Sequence, residues 1–413
     1  MATARATEGH AGPAVTPAQF PCFNGLRAIA ASAVLLTHVA ATGGAITASV
    51  LGVFFARMDV GVSIFFLLSG FLLYRPFVVA HLRDRPRPAT VPYLWRRFLR
   101  IYPAYWLVVT VVVYVFADKA ITDPKSFVLY YGLFHIYSVG HVLGPLQQSW
   151  TLATEVSFYV FLPIFALTLR AGSTGSVERR VRREVVGVVA LIAASVAWKT
   201  LVLAVFDDRV GQLKTWLPWW LDLFGVGMLL AIGSVRTMEL GRPTPLRLDR
   251  RWAPAASWLG ALGAFWLVSA GIGTPYRQFG IDFPHLIAVH YLYGLTALGL
   301  VLPAVFGPQD PESSRIRHFL TTRTVVYVGV ISYGIYLWQE AWIDRFLLWS
   351  GQPTFTVYRG DVPFVWHTSS YFSAPWLAFL LAIVGLTLAA ATASWYLLER
   401  PVLRLKRLVR DGR

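Results

Sequence analysis

Three sets of polar residues stand inside stretches of this chain that are otherwise apolar, and their types are those of proton transfer and phosphate binding. His38 lies in GLRAIAASAVLLTHVAATGG, with Arg27 eleven residues before it. Eleven helical steps return to within about 20° of the same face. That face carries a guanidinium near one membrane surface and an imidazole roughly 20 Å from that end of the helix. Glu155 lies in QQSWTLATEVSFYVFLP. A carboxylate beside an imidazole holds its tautomer and raises its basicity, which suits a base that deprotonates a hydroxyl. Topology puts His38 and Glu155 at similar depth and nominates them as a pair. A buried pair that only ties two helices together is the structural alternative. Arg97 and Arg100, in WRRFLRIYPAYW, are three apart and project to a similar face. Two planar guanidinium groups there are suited to clamp phosphates, although arginines at a cytoplasmic helix start also follow from topology alone.

Two further stretches are polar where lipid would demand otherwise. Asp59, in RMDVGVSIFFLLSGFLL, starts an apolar run, with Arg57 as its simplest partner. Ser69 and Gly70, deeper in that run, read as small residues for close helix packing. Tyr333, Tyr336 and Glu340 fall along one face of VISYGIYLWQEAWIDRF, with Gln339 nearby. Such a stripe reads as a cavity wall rather than a lipid-facing surface.

The elements that carry these residues must be membrane helices. The chain has 413 residues, 56% of them hydrophobic and only 14% charged, where soluble domains carry about a quarter charged residues. Runs long enough to span a bilayer fall near 25–46, 52–79, 101–118, 151–169, 186–206, 215–234, 254–272, 285–305, 325–346 and 374–397. The stretch 126–140 is aromatic but short, and reads as a re-entrant or surface-lying helix. The formal charge of +16 does not point to nucleic acid, because the arginines sit in short loops. Alternate loops are rich in them: Arg83, Arg85 and Arg87 after the second run, Arg179, Arg180, Arg182 and Arg183 after the fourth, Arg400, Arg404 and Arg407 in the tail. The opposite loops are poor in them. The basic side is the cytoplasm. The reading is therefore an all-α integral membrane protein of about ten transmembrane helices, with both termini cytoplasmic. Residues 1–20 are expected to be a disordered tail, 21–402 the membrane domain and 403–413 a basic cytoplasmic tail. No signal peptide is evident. The single cysteine, Cys22, excludes an internal disulfide or a cysteine-rich metal site.

Taken together, the phrases resemble the acyltransferase 3 family of membrane-bound O-acyltransferases over roughly residues 20–402. FNGLRAIAASAVLLTH resembles its first-helix motif, with Arg27 and His38 at the arginine and histidine. FFLLSGFLL resembles the second-helix motif, and RRFLR supplies the Arg-x-x-Arg pair, Arg97 and Arg100. SWTLATEVSFYVFLP matches the stretch whose glutamate is Glu155, and ISYGIYLWQ and YLLERP resemble the last two helices. Two positions depart from the common pattern. Val156 replaces a second glutamate, and Gln339 stands where many members have a histidine. The resemblance implies transfer of an acetyl or other short acyl group from acyl-coenzyme A to a hydroxyl of a carbohydrate, glycolipid or macrolide-type acceptor, in a bacterial cytoplasmic membrane, without a metal. It implies His38 and Glu155 as the catalytic residues and Arg97, Arg100 and Arg27 as the residues that hold the donor. The short tail implies the stand-alone type, without an extracellular hydrolase-like domain. An acyl-enzyme on Tyr333 or Tyr336 is the less favoured route, because nothing in the spacing identifies a nucleophile. A transporter of a glycolipid or small metabolite is the second functional reading, since polar residues in spans serve a pathway equally well.

Overall fold

The structure, a computed structural model, describes residues 20–43, 51–116, 121–172, 175–272, 283–349 and 374–409. The tail expected to be disordered, most of the outer connection 347–373 and the last residues of the basic tail lie outside the described residues.

The described chain is helical almost throughout, as it must be if its backbone polar groups are to be satisfied in lipid. In order, α1 is Cys22–Thr42, α2 Gly61–Leu82, α3 Thr90–Thr110, α4 Pro124–Tyr131, α5 Ser149–Arg170, α6 Val177–Val205 and α7 Leu217–Met238. Then follow α8 Ala253–Trp266, α9 Phe283–Val305, α10 Arg315–Thr321, α11 Arg323–Val330, α12 Ser332–Trp349 and α13 Ala374–Ser394. Among the described residues nine helices are long and apolar enough to cross a bilayer. The chain is a multi-pass membrane protein. The expected ninth span, 325–346, is two consecutive helices, α11 and α12, broken at Ile331. Its second half carries Glu340, Asp344 and Arg345, which suits a cavity wall better than a lipid face.

α1 runs through the interior, against α2 on one side and α10, α11 and α12 on the other. The most extensive helix pairing among the described residues joins α2 to α7. A Cβ at Gly227 would overlap the carbonyl oxygen of Leu67, and one at Gly70 that of Phe224. The two backbones therefore touch, and only glycine fits. Replacing Gly227 with valine is expected to force the helices apart and cost at least ~1–3 kcal/mol. Gly260, on α8, has open space around it, so alanine there should leave stability unchanged. Thermal unfolding of the purified variants in detergent checks both, and a wild-type Tm for Gly227→Val would contradict the crossing.

The aromatic stretch 126–140 packs one face against the bundle, burying Ser126, Tyr130, Leu133, His135 and Ile136, and leaves Phe127, Val128, Phe134 and Tyr137 exposed. α4 starts with a capping box between Asp123 and Ser126, and the backbone N–H of Ser126 holds the exposed Asp123 carboxyl below its ordinary pKa. The segment is tied to α3 by Tyr105 Oη donating to the Tyr130 carbonyl (2.7 Å) and Trp106 Nε1 donating to that of Tyr131 (2.9 Å). His135 follows, and burial pushes its pKa down to about 4. Its Nε2 lies 3.2 Å from Ser149 Oγ at the first residue of α5. The chain therefore enters α5 already inside the bundle, with Gln148 and Ser149 both buried.

Candidate active site

Five helices line an inner cavity. α1 contributes Arg27, α3 Arg97 and Arg100, α5 Thr151, Glu155 and Tyr159, and α12 Ser332, Tyr333 and Tyr336. α2 supplies Ser69 and an apolar wall that includes Phe65, Phe66 and Leu72. The spacing of Arg97 and Arg100 does bring both to one cavity, and Arg27 joins them from another helix. None of the three guanidinium groups forms an ion pair within 4 Å among the described residues, and Arg97 Nε is buried without a hydrogen-bond partner. Arg97 lies over the rings of Tyr93 and Tyr159, at 5.9 and 6.0 Å. Arg27 is within electrostatic reach of Arg100, Glu155, Tyr159 and Glu399. Three cations whose donors are not taken up by protein carboxylates suit a polyanion.

Glu155 belongs to this cavity. Its Oε1 accepts from Ser69 Oγ at 2.6 Å, so Ser69 has a polar role beyond the packing expected for it, whereas Gly70 packs as expected. The expected meeting of Glu155 with His38 does not occur. His38 Nε2 lies 3.2 Å from Glu340 Oε1 instead. The reason is depth. α5 starts inside the bundle, and Gln148, just before it, stands level with Glu340. The backbone N–H groups of Gln147 and Gln148 point at the Glu340 carboxylate. Glu155 is seven residues further along the helix, ~10 Å deeper.

Between the cavity and the His38–Glu340 pair stands a hydrogen-bonded closure. Tyr336 Oη donates to the Gln148 carbonyl (2.9 Å) and lies 2.6 Å from Thr151 Oγ1. Gln148 Nε2 donates to the carbonyls of Tyr336 and Leu337, both at 3.1 Å. Thr151 and Tyr336 line the cavity, while Gln148, Glu340 and His38 do not. Tyr333 Oη donates to the Ile101 carbonyl at 2.7 Å. Both tyrosine hydroxyls are thus engaged with main-chain oxygens.

His38 is 28% exposed and Glu340 14%. With Nε2 turned to Glu340, Nδ1 is buried, and Gln339 stands within side-chain bonding reach of the ring. Asp59 stands on the same outer side, within electrostatic reach of His38, Arg57 and Lys214, and accepts from Tyr293 Oη. Arg57 Nη2 faces His285 Nε2 at 3.4 Å.

A further buried cluster escaped the sequence reading. Lys199 Nζ and His290 Nε2 share Asp222 Oδ2 at 2.8 and 2.9 Å, and Lys199 also reaches Ser195 Oγ at 2.9 Å. It joins α6, α7 and α9. The signal was a lysine, an aspartate and a histidine each isolated in an apolar run.

Comparison with known proteins bears on this arrangement. Residues 20–397 match the acyltransferase 3 family, described as an acyltransferase domain, and the chain belongs to that family. The chain is 25% identical over 336 residues to the peptidoglycan O-acetyltransferase OatA of Listeria monocytogenes, covering 77% of this chain and 48% of that one. It is 25% identical over 335 residues to YrhL of Bacillus subtilis, with the same coverage. It is also 25% identical over 288 residues to ORF330 of Acidianus two-tailed virus, covering 67% of this chain and 71% of that one. The chain spans about half the length of the two bacterial relatives. No solved structure matches it.

Proposed function

We propose that this family member moves a short acyl group, acetyl in the simplest case, from acyl-coenzyme A in the inner cavity to a hydroxyl of a carbohydrate or lipid-linked acceptor at His38. The observation that carries the reading is the pairing of three unneutralised arginines in one cavity with a histidine–carboxylate pair just beyond its closure. The phosphates of coenzyme A supply the charge that Arg27, Arg97 and Arg100 lack. Glu155, bonded to Ser69, limits the excess positive charge of the cavity and helps set the positions of its arginines. The donor enters from the arginine-rich side, which charge asymmetry assigns to the cytoplasm together with both chain ends. The pantetheine arm then carries the thioester past Thr151 and Tyr336.

At the outer pair, Glu340 accepts from His38 Nε2–H and leaves the Nδ1 lone pair free. Nδ1 takes the proton from the acceptor hydroxyl as its oxygen bonds to the thioester carbon, and the carbonyl electron pair moves onto oxygen. When the carbonyl re-forms, the carbon–sulfur bond breaks. The thiolate leaves and takes the proton back from Nδ1. The sequence closes without a net proton and without a covalent enzyme intermediate. Main-chain hydrogen bonds at Tyr333 and Tyr336 favour this direct route over an acyl-tyrosine.

The test is thiol release from acetyl-coenzyme A by purified protein in liposomes. Release should depend on an added glycan or glycolipid acceptor, and the acceptor should gain ~42 Da. Movement of a glycolipid across the bilayer without thiol release would replace this reading with a transporter.

A further inference from the structure

α2 presents one row of side chains to the inner cavity. Val62, Phe65, Ser69 and Leu72 recur at helical spacing, and all of them line it. The row changes character along its length. Ser69 donates to Glu155, which is within electrostatic reach of Arg27. Phe65, one turn further out, meets the closure instead. Its ring stands edge-on to that of Tyr336, with centroids 6.1 Å apart and planes at 74°. Thr151 and Tyr336 line the same cavity and bond to each other. Side chains from α2, α5 and α12 therefore meet at the outer end of the cavity. Tyr336 is held there by polar bonds to Gln148 and Thr151. Phe65 has no polar atom to hold it, and its place comes from packing alone. It packs against the main core and also against the apolar cluster that α1 builds with α12 and α13 through Leu35, Ile335 and Phe379. His38 is one turn beyond Leu35 on α1. The ring thus joins the cavity to the part of α1 that leads to the histidine. Its neighbour Phe66 differs, being buried in a stack on Phe224 at 4.8 Å and edge-on to Trp220.

We propose that Phe65 determines which acyl groups the protein transfers, its ring acting as a size filter that passes acetyl and turns back longer chains. The inference deepens the acyl-transfer reading above and rests on it. On that reading the acyl group leads the donor, ahead of the sulfur, and is the first part to reach the closure. Acetyl ends one methyl beyond the thioester carbonyl. Every further methylene has to find room beside Phe65, because the hydroxyl side of the closure is fixed by its hydrogen bonds. A close-packed ring yields little to such an intrusion. A longer donor can still place its phosphates on the arginines while its thioester stops short of His38. Discrimination therefore falls on kcat/KM through the reacting complex more than on donor binding.

The experiment measures kcat/KM for acetyl-, butyryl- and hexanoyl-coenzyme A, with the acceptor that supports thiol release in the liposome assay above. Wild type, Phe65→Ala and Leu72→Ala are compared. Wild type should prefer acetyl to hexanoyl. A methylene of misfit is worth ~10–200-fold in such discrimination, so Phe65→Ala should raise the hexanoyl-to-acetyl ratio at least ~10-fold. Leu72 lines the same cavity ~10 Å further in along α2, and alanine there should leave the ratio as in wild type. A ratio taken within one variant does not depend on how much of the protein folds, so a purely structural ring would not move it. An unchanged ratio in Phe65→Ala overturns the proposal. So does equal use of acetyl and hexanoyl by wild type, or an equal rise in Leu72→Ala. If Phe65→Ala does not fold, Phe65→Val is measured in its place, and failure of both marks a ring needed for packing and overturns the proposal. Absence of thiol release from all three donors with every acceptor removes the acyl-transfer reading itself. Release with the same chain-length profile in wild type and Phe65→Ala removes only the filter.

Discussion

Replacing His38 with alanine is expected to lower acyl transfer per folded molecule by ~10²–10⁴-fold, the usual cost of losing a general base, while coenzyme A affinity stays near wild type. The separation of the two sites makes this split possible. His38 is not part of the lining of the inner cavity, so its loss leaves the donor's phosphate contacts in place. The same geometry gives Glu340 a graded role. It touches the imidazole through Nε2 and, on the proposed mechanism, orients it, so Glu340→Gln should reduce kcat with little change in KM and should alter the pH profile of turnover. A structural pair predicts the reverse, with low Tm in both variants and normal turnover in whatever folds. Stopped or steady-state assays normalised to folded protein by size-exclusion chromatography make the distinction. Wild-type turnover in His38→Ala would remove this base.

Alanine at Arg97 or Arg100 is expected to weaken coenzyme A binding by ~10–100-fold, as each removes charge-assisted hydrogen bonds of roughly 1.5–3 kcal/mol. The argument depends on these groups being unpaired. A guanidinium already neutralised by a carboxylate would lose little on substitution, and here no carboxylate lies within 4 Å of either among the described residues. Lysine should rescue only in part, because an ammonium lacks the planar fork. Binding should also weaken with salt more steeply in wild type than in the variants. Calorimetric titration with coenzyme A reads both effects. Equal affinity in wild type and both alanine variants would place the donor elsewhere.

How far these residues were legible in the sequence depends on what each argument needed. Arg97 and Arg100 needed only helical spacing, and both line one cavity. Arg27 and His38 needed only rise per residue, and they do occupy different levels of α1. The partner of His38 needed something more. Glu155 lies near the outer start of its span and Glu340 near the outer end of its own, and the choice between them rests on where α5 begins. That point is fixed by the folded-in loop, through Tyr105, Trp106 and His135, and such tertiary contacts leave no periodic mark in a sequence. The ninth span is interrupted, which an apolar run in the sequence does not register. Its apolar run is real, but the helix, which at Gly329 leaves no room for a Cβ against the Asn24 carbonyl of α1, is interrupted at Ile331 and continues as a polar-lined wall. Gln148 and Thr151 gave no signal, because an amide and a hydroxyl near a helix start ordinarily read as capping.

The closure formed by Thr151, Tyr336 and Gln148 also bears on electrical insulation. A bacterial plasma membrane is energised, and each elementary charge that leaks through it dissipates about 2.3 kcal/mol per 100 mV. Arginines open to one side and an ionisable pair reachable from the other would form the two ends of a conducting wire if water joined them. The tyrosine and its partners stand across that path, with the Tyr336 hydroxyl donating to the Gln148 carbonyl. On the proposed mechanism, what has to pass them is an uncharged thioester on a slender arm, and the proton taken from the acceptor returns to the departing sulfur. A complete turnover would then move no current, and the voltage across the membrane would neither drive the exchange nor be spent by it.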